Sequence, residues 1–449
     1  MFPPSNRRNF LLSLAIAGAL GSVLTATALR AASGSKDTYE ELETFASIMA
    51  IVQRHYVDEV GSHDLVEGAV KGMVSSLDPH SSYLTPEGYK ELQIETHGEF
   101  GGLGIELTVR DSLLTIVTPI DGTPAFRAGI KPGDQIIKIN DDMTMDMPLQ
   151  QAVERMRGKP GSKVRLSLKR KGVNDLVDVE LTREVIRIKS VRGGRLVNDR
   201  YAYVRLTGFQ DGSRDELVAA LDKLDKQKKG GVEGILLDLR YNPGGLLTQA
   251  VSISDLFLDA GLIVRVNGRM ESQTTSYFAK TDGTRRMVPM IVLVNEGSAS
   301  ASEIVAGAMQ DHRRALILGV KSFGKGSVQT ILPLGDDTAL RLTTARYYTP
   351  SGRSIHEHGI DPDVVVEPDK IEIDPKDETL RSRDDFDLES DSQLRKAVEL
   401  MGTWKGDVVK MGGVAGFDIP DDLKAASAAA AAKSAAETAE AAAEGEPVH

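Results

Sequence analysis

Met290–Gln310 reads MIVLVNEGSASASEIVAGAMQ, and its three parts decide the architecture. MIVLVN is a short apolar run of the kind a fully buried strand needs, Glu296-Gly297 is a turn, and ASASEIVAGAMQ has the composition and length of a helix. The same alternation recurs on both sides: YAYVRLTGF, a helix beginning near Gly212, GILLDLR, a helix after Pro243, and finally ALILG. Strands that alternate with helices and are apolar throughout imply an α/β domain whose sheet is covered on both faces.

Upstream the pattern changes. Between residues 96 and 183 short β runs (GLGIELTV, LLTIVTPI, QIIKIND, KVRLSLKR, DLVDVELT) surround one helix at PLQQAVERMRG, which implies a small β-rich module inserted ahead of the α/β core at 184–367. Residues 36–95 read as helical: Leu42, Phe45, Met49, Val52 and Tyr56 recur at steps of three and four, and a second helix is expected from His63 to Leu77. The first 35 residues read as an export signal, with Arg7-Arg8 ahead of an uncharged stretch and Ala26-Thr27-Ala28 suited to cleavage. The paired arginines fit a twin-arginine signal, and a general secretory signal is the alternative; both lead to the periplasm, with membrane attachment if the signal stays uncleaved. Residues 368–420 are expected to be an acidic linker followed by a helix at SQLRKAVELMGTW, and the Ala-rich 421–449 a frayed helix or disordered tail.

The formal charge of −11 argues against a nucleic-acid partner. The chain has no Cys, which excludes disulfides and thiolate chemistry and suits an oxidising compartment. His356 and His358 stand at strand spacing without a third ligand nearby, so no metal and no other cofactor is expected.

The three serines at 298, 300 and 302 sit where a strand hands over to a helix N-terminus, where free amides and the helix dipole favour a developing oxyanion. N-capping is the competing role, expected of Ser298. A nucleophile needs a base, and His312 is too far: twelve helical residues separate it from Ser300 by about 18 Å. Lys325 in SFGKGSVQTI is the better partner, because flanking glycines let the backbone bring it close and burial can lower its pKa. Gln329, uncharged, can orient it without restoring the ammonium. The run Gly319–Gly326 matches a phosphate loop except that Gly326 replaces the magnesium-binding Ser or Thr, so a nucleotide site is not expected.

Gly102-Leu103-Gly104-Ile105 followed by TPAFRAGIKPGDQIIKIND resembles a PDZ domain. That resemblance implies an extended peptide C-terminus gripped between the Gly102–Ile105 loop and the helix carrying Ala152, Val153 and Met156. Together LDPHSSYL, GEFGGLGIE, DLRYNPGG, GSASASEI, GKGSVQT and YYTPSGRSIHEHGIDPDV resemble, in order, the carboxy-terminal processing peptidases, tail-specific serine proteases of the S41 family with an inserted PDZ domain. The resemblance implies a core with a mixed sheet flanked by helices, of the ClpP/crotonase type, with Ser300 as nucleophile, Lys325 as base and Gln329 as its orienting partner. The amide of Gly244 or Gly245, with that of Ala301, would form the oxyanion hole. The expected function is a periplasmic endopeptidase acting on loosely folded proteins with apolar C-termini, its dyad gated by the PDZ domain. A homo-oligomer and a delivering adaptor protein are the expected partners. The rivals are a proteolytically silent PDZ adaptor or holdase, and a transacylase using the same dyad.

Overall fold

The computed structural model describes residues 38–110, 112–145, 147–282, 287–369, 388, 390–405 and 417–443. The expected export signal and most of the acidic linker lie outside the described residues. The chain divides between Tyr83 and Leu84 into two compact units.

The first unit contains a helix over 38–55 and the helix Ser62–Ser75. Leu42, Phe45, Ile48 and Ile51 remain exposed along the first of these. The Asp78 carboxylate closes the following turn by accepting the amides of His80 and Ser81, each at 2.8 Å.

In the second unit the α/β core holds a six-stranded sheet in the order Val191–Val197, Tyr201–Leu206, Gly234–Asp238, Met290–Val294, Leu316–Gly319 and Val364–Val365. The first pair is antiparallel and the other four are parallel. Every residue of Gly234–Asp238 and Met290–Val294 is buried, as a sheet covered on both faces requires. One face packs Leu217 and Leu221 of helix Ser213–Gln227, Ile253 of Leu247–Asp255, and Ile304 and Val305 of Ala301–Asp311. The other face, with Leu236, Ile291 and Leu293, is covered by Leu394, Ala397 and Met401 of helix Ser392–Thr403. Each such apolar side chain contributes about 1.5–3 kcal/mol on full burial. A second, antiparallel sheet joins Ser327–Pro333, Ala339–Tyr348, Leu262–Gly268 and Thr275–Phe278.

The β-rich module pairs Ile105–Arg110, Leu113–Pro119, Gln135–Ile139, Lys163–Lys169 and Val177–Thr182 in sequence order. Its helix Leu149–Met156 closes a separate core of Leu114, Ile136, Leu166 and Leu168. A two-stranded ribbon, Glu99–Gly102 with Glu184–Arg187, carries the chain into and out of the module.

Of the two alternatives for the Ala-rich stretch, the described part is helical. A helix runs over Asp421–Ala443, and its Ser427 hydroxyl accepts the Val365 amide at 3.0 Å, so the segment is docked on the edge strand of the core.

Candidate active site

The strand Met290–Val294 ends in a turn that throws the chain into helix Ala301–Asp311, with Ser300 at its N-cap. Ser300 holds φ 55° and ψ −110°, a conformation sparsely populated by L residues, and is 9% exposed. Strain of this kind persists where the surroundings over-determine it, and it clusters at sites of chemistry. The neighbouring serines have spent their hydroxyls on backbone carbonyls. Ser298 donates to Leu239 O at 2.8 Å and Ser302 to Asn242 O at 2.9 Å. Ser298 was expected to cap the helix and does not; it also accepts the Asn295 amide and closes the turn from below. Among the described residues, Ser300 alone of the three donates no hydroxyl hydrogen bond.

Lys325 lies in the loop between strands Leu316–Gly319 and Ser327–Pro333, and its flanking glycines are forced by close approach. A Cβ on Gly326 would stand 2.1 Å from the His356 amide nitrogen, and Gly324 holds φ +92°. Glu357 N donates to Gly324 O and Tyr347 N to Gly326 O, at 2.8 and 2.7 Å, so the loop is pinned from both sides. Burial holds the Lys325 ammonium below its ordinary value, the Arg341 charge works in the same direction, and Glu303 opposes both. Among the described residues no hydrogen bond joins the Ser300 hydroxyl to the Lys325 amine.

Glu303 was not anticipated, yet it ties these two segments together. Its carboxylate is fully buried and accepts four hydrogen bonds. Oε2 takes the amides of Ser300 (2.8 Å) and Lys325 (2.9 Å), while Oε1 takes the Gly324 amide (2.7 Å) and the Ser322 hydroxyl (2.6 Å). Burial pushes the Glu303 carboxyl up, against these four bonds, which favour its charged form. The spacing Ser300-x-x-Glu303 is that of a capping box and could have flagged it.

Gln329 is placed otherwise than expected. Its side-chain amide donates to Ser327 Oγ at 2.7 Å and not to Lys325. Residues two apart on a strand share a face, so Ser327 is its natural partner, whereas Lys325 precedes the strand.

The two glycines after Pro243 are told apart by their amides. Gly244 N donates to the Asn242 side-chain oxygen at 2.9 Å; among the described residues the amides of Gly245 and Ala301 have no partner. A Cβ on Gly244 would lie 2.8 Å from Ser300 Cβ, so this loop runs directly against the serine. Asn242 fastens it there: its backbone oxygen accepts Ala299 N (3.0 Å) and its side chain donates to Leu206 O (2.7 Å).

In the β-rich module a groove of about 170 Å³ is lined by Gly102, Leu103, Gly104, Ile105, Val153 and Met156, together with Phe100, Leu107, Leu149 and Arg157. Ala152 does not line it. It is fully buried in the module core, because the groove-facing residues of the helix are 149, 153 and 156, at helical spacing. Gly104 holds φ +74°, where a Cβ would lie 2.4 Å from the Thr123 side chain. The carbonyls of Leu103 and Gly104 turn inward to accept Ala125 N and Ile120 N.

Residues 200–366 match the family model for peptidase family S41, residues 101–181 the PDZ domain, and residues 17–88 the N-terminal domain of the activating protease CtpB. A carboxy-terminal-processing protease of Bartonella bacilliformis is 48% identical over 333 residues, covering 74% of this chain and 76% of the relative. The carboxy-terminal processing protease CtpA of Bacillus subtilis is 38% identical over 339 residues, covering 74% and 71%. Among solved structures, the photosystem II D1 C-terminal processing protease is 29% identical with a TM-score of 0.43, covering 72% of this chain and 92% of that one.

Proposed function

The chain belongs to the carboxy-terminal processing peptidases of family S41 and carries their PDZ domain, and from that premise we propose that Ser300 and Lys325 are its catalytic pair. The observation that carries this reading is the single buried carboxylate of Glu303, which accepts the backbone amides of both residues and so brings the strained serine and the lysine loop into one site.

In the proposed mechanism Ser300 Oγ attacks the scissile carbonyl, and Lys325, in its neutral form, takes the hydroxyl proton. The oxyanion is held by the amides of Gly245 and Ala301, which have no other partner among the described residues. Lys325 returns the proton to the leaving amine, and water then hydrolyses the acyl-enzyme. Gln329, bonded to Ser327, would have to turn before it could orient Lys325.

The substrate is a polypeptide with an apolar C-terminus, added as a strand beside Ile105–Arg110 with its carboxylate at the Leu103–Gly104 amides. The apolar lining by Leu103, Ile105, Leu107, Leu149 and Val153 supports that preference. The missing Ser300–Lys325 hydrogen bond fits a resting site that closes when the groove is filled. We place the enzyme in the periplasm, delivered by its N-terminal signal. The exposed apolar face of the 38–55 helix supports self-association, and an adaptor could present substrates.

The test is cleavage of an unfolded reporter ending in apolar residues by the wild type, Ser300→Ala and Lys325→Ala, beside the same reporter ending in charged residues. Cleavage by the wild type alone, weakened by the charged tail, is expected. Tight reporter binding without cleavage by any form would favour a binding adaptor and overturn the proposal.

A further inference from the structure

The two chain segments that join the β-rich module to the core converge on Gln210. Thr96 and Gly98, at the end of helix Pro86–His97, lead into the ribbon strand Glu99–Gly102, and the residues from Ile188 to Ser190 follow its partner Glu184–Arg187. The Ile188 amide donates to Gly98 O at 2.7 Å, so the connectors run side by side. Gly98 holds φ +69°, and a Cβ there would lie 2.9 Å from Gln210 Oε1 and 3.1 Å from Gln210 Cβ. The incoming chain therefore rests on the Gln210 side chain, and Thr96 O accepts the Asp211 amide at 3.0 Å. The outgoing chain meets the same residue: Ser190 Oγ donates to Gln210 Oε1 at 3.3 Å, and Ser190 O accepts the Thr207 amide at 2.8 Å.

The residue before Gln210 holds the oxyanion loop. Phe209 N donates to Gly244 O at 3.0 Å and Phe209 O accepts Leu246 N at 2.7 Å, which makes Phe209 a strand-like bridge to Gly245. The Phe209 ring is fixed in the core. The peptide unit between Phe209 and Gln210 is planar and rigid. Its carbonyl end is Phe209 O, against the Gly245 loop. Its amide end, Gln210 N, is held by Ser213 Oγ at 2.8 Å, and that hydroxyl lies 2.6 Å from Ser190 Oγ, both serines being buried. With the ring fixed, a shift of the connectors at Gln210 turns this plane and moves its carbonyl against Gly245. The groove has a direct hold on the connectors, because Phe100 and Gly102 of the ribbon line it. Room for the shift lies alongside: a cavity of about 510 Å³, lined by Gly98, Glu99, Ile188 and Asp211 among others, opens at the base of the ribbon.

We propose that Gln210 is a positioning residue of the peptidase site, through which the seating of the PDZ module sets the Phe209–Gln210 peptide plane and with it the Gly245 oxyanion donor. A filled groove then acts on the oxyanion hole, a target separate from the Ser300–Lys325 contact. This inference rests on the peptidase reading above, with Ser300 as nucleophile and Gly245 as donor.

The experiment measures the affinity of an N-acetylated tripeptide boronate, whose adduct with Ser300 places an oxygen in the hole, with and without a saturating synthetic peptide ending in Val-Val-Val. The full chain is used as wild type, Gln210→Ala, Ser190→Ala and Ser300→Ala. In the wild type the tail peptide should tighten the boronate about tenfold, and the boronate should tighten the tail peptide by the same factor, since coupling between two binding sites is reciprocal. In Gln210→Ala the factor should fall below about twofold, while tail-peptide affinity measured without boronate equals that of the wild type. A loss of stability alone would not remove the coupling and spare that affinity. Ser190→Ala, which cuts the outgoing connector from the same cluster, should lower the factor likewise and takes over the test if Gln210→Ala does not fold. A wild-type factor retained in the folded variant would overturn the proposal, and so would a wild type without coupling. Boronate binding undiminished in Ser300→Ala would instead defeat the catalytic serine, so the two failures are distinct.

Discussion

Glu303 accepts the backbone amide of Lys325 at 2.9 Å while its charge favours the protonated form of that residue's side chain. Position and protonation are thus set against each other by one carboxylate. Glu303→Gln separates the effects. An amide offers one acceptor oxygen where the carboxylate offers two, so its NH2 must face at least one pair of donors now satisfied. Leaving buried donors unsatisfied costs about 1–3 kcal/mol each. The variant should unfold at lower temperature and lose about 100-fold or more in kcat. Whatever activity remains should have its acid limb shifted to lower pH, because the charge that favours the ammonium is gone. A stable, fully active Glu303→Gln would remove the clamp from the account.

The pH dependence of the wild type follows from Lys325. Only the neutral amine can take the Ser300 proton, and burial, aided by Arg341, brings its pKa below the ordinary 10.5. Activity should therefore rise with pH through a limb lying below that value and fall as Lys325 becomes protonated on acidification. A kcat/KM profile rising only at the ordinary lysine value would show that the resting site does not depress its base.

Gly245 should be the glycine that catalysis cannot spare. At φ +142° a Cβ would stand 2.3 Å from Phe209 O, a backbone atom that itself holds Leu246 N at 2.7 Å. The Gly245 backbone, and its amide with it, would have to shift away from Phe209. Removing one oxyanion donor costs about 100- to 1,000-fold in kcat. Gly245→Ala should show that loss, along with a parallel loss of affinity for a peptide boronate that mimics the tetrahedral intermediate. Binding of a tail peptide to the PDZ groove should be unchanged. A variant that loses kcat yet keeps its boronate affinity would assign the donor elsewhere.

Val153 separates recognition from chemistry. It lines the groove beside Leu149 and Met156, one turn from each, and lies far along the chain from the serine turn. Val153→Glu places a charge where an apolar tail residue should dock, so tail-peptide affinity should fall by tenfold or more. Cleavage of protein substrates should fall with it. Tail binding equal to wild type, measured by calorimetry, would move the recognition site out of this groove.

What the sequence disclosed was local, and what it concealed was long-range. The strand, turn and helix around Ser300 are continuous in the chain, and periodicity alone places them. The glycines around Lys325 announced a tight loop, but not that the Ile355–Gly359 segment would press against them. Ala152 looked like a groove residue because it neighbours Val153; only the phase of the helix, fixed by packing on the module core, turns it inward. Gln329 was paired with Lys325, but its side-chain amide bonds to Ser327, which shares its strand face, while Lys325 precedes the strand. Glu303 stands at capping-box spacing from Ser300 and went unread, while its bonds to Ser322, Gly324 and Lys325 needed the fold.

The least legible contact joins the Arg240–Gly245 loop to the chain's C-terminal region, and it yields a final prediction. Arg240, two residues before Asn242, donates to Asp238 Oδ2 at 2.7 Å and, through both terminal nitrogens, to Asp391 at 2.7 and 3.0 Å. All three side chains are buried, and Asp391 also caps helix Ser392–Thr403 by accepting Leu394 N. That helix covers one face of the sheet, so a residue beyond the family-matched 200–366 segment holds the strand end from which the Asn242–Gly245 loop departs. Asp391→Asn leaves Arg240 with Asp238 as its remaining carboxylate, and hydrogen bonds to charged groups contribute about 1.5–3 kcal/mol. Chemical denaturation should register a loss of that order. Arg240 also steadies the approach to Asn242 and Gly245, so kcat should fall while tail-peptide binding to the PDZ groove stays at the wild-type level. Stability within about 0.5 kcal/mol of wild type, the range of ordinary surface substitutions, would mean that Asp238 alone suffices to hold Arg240.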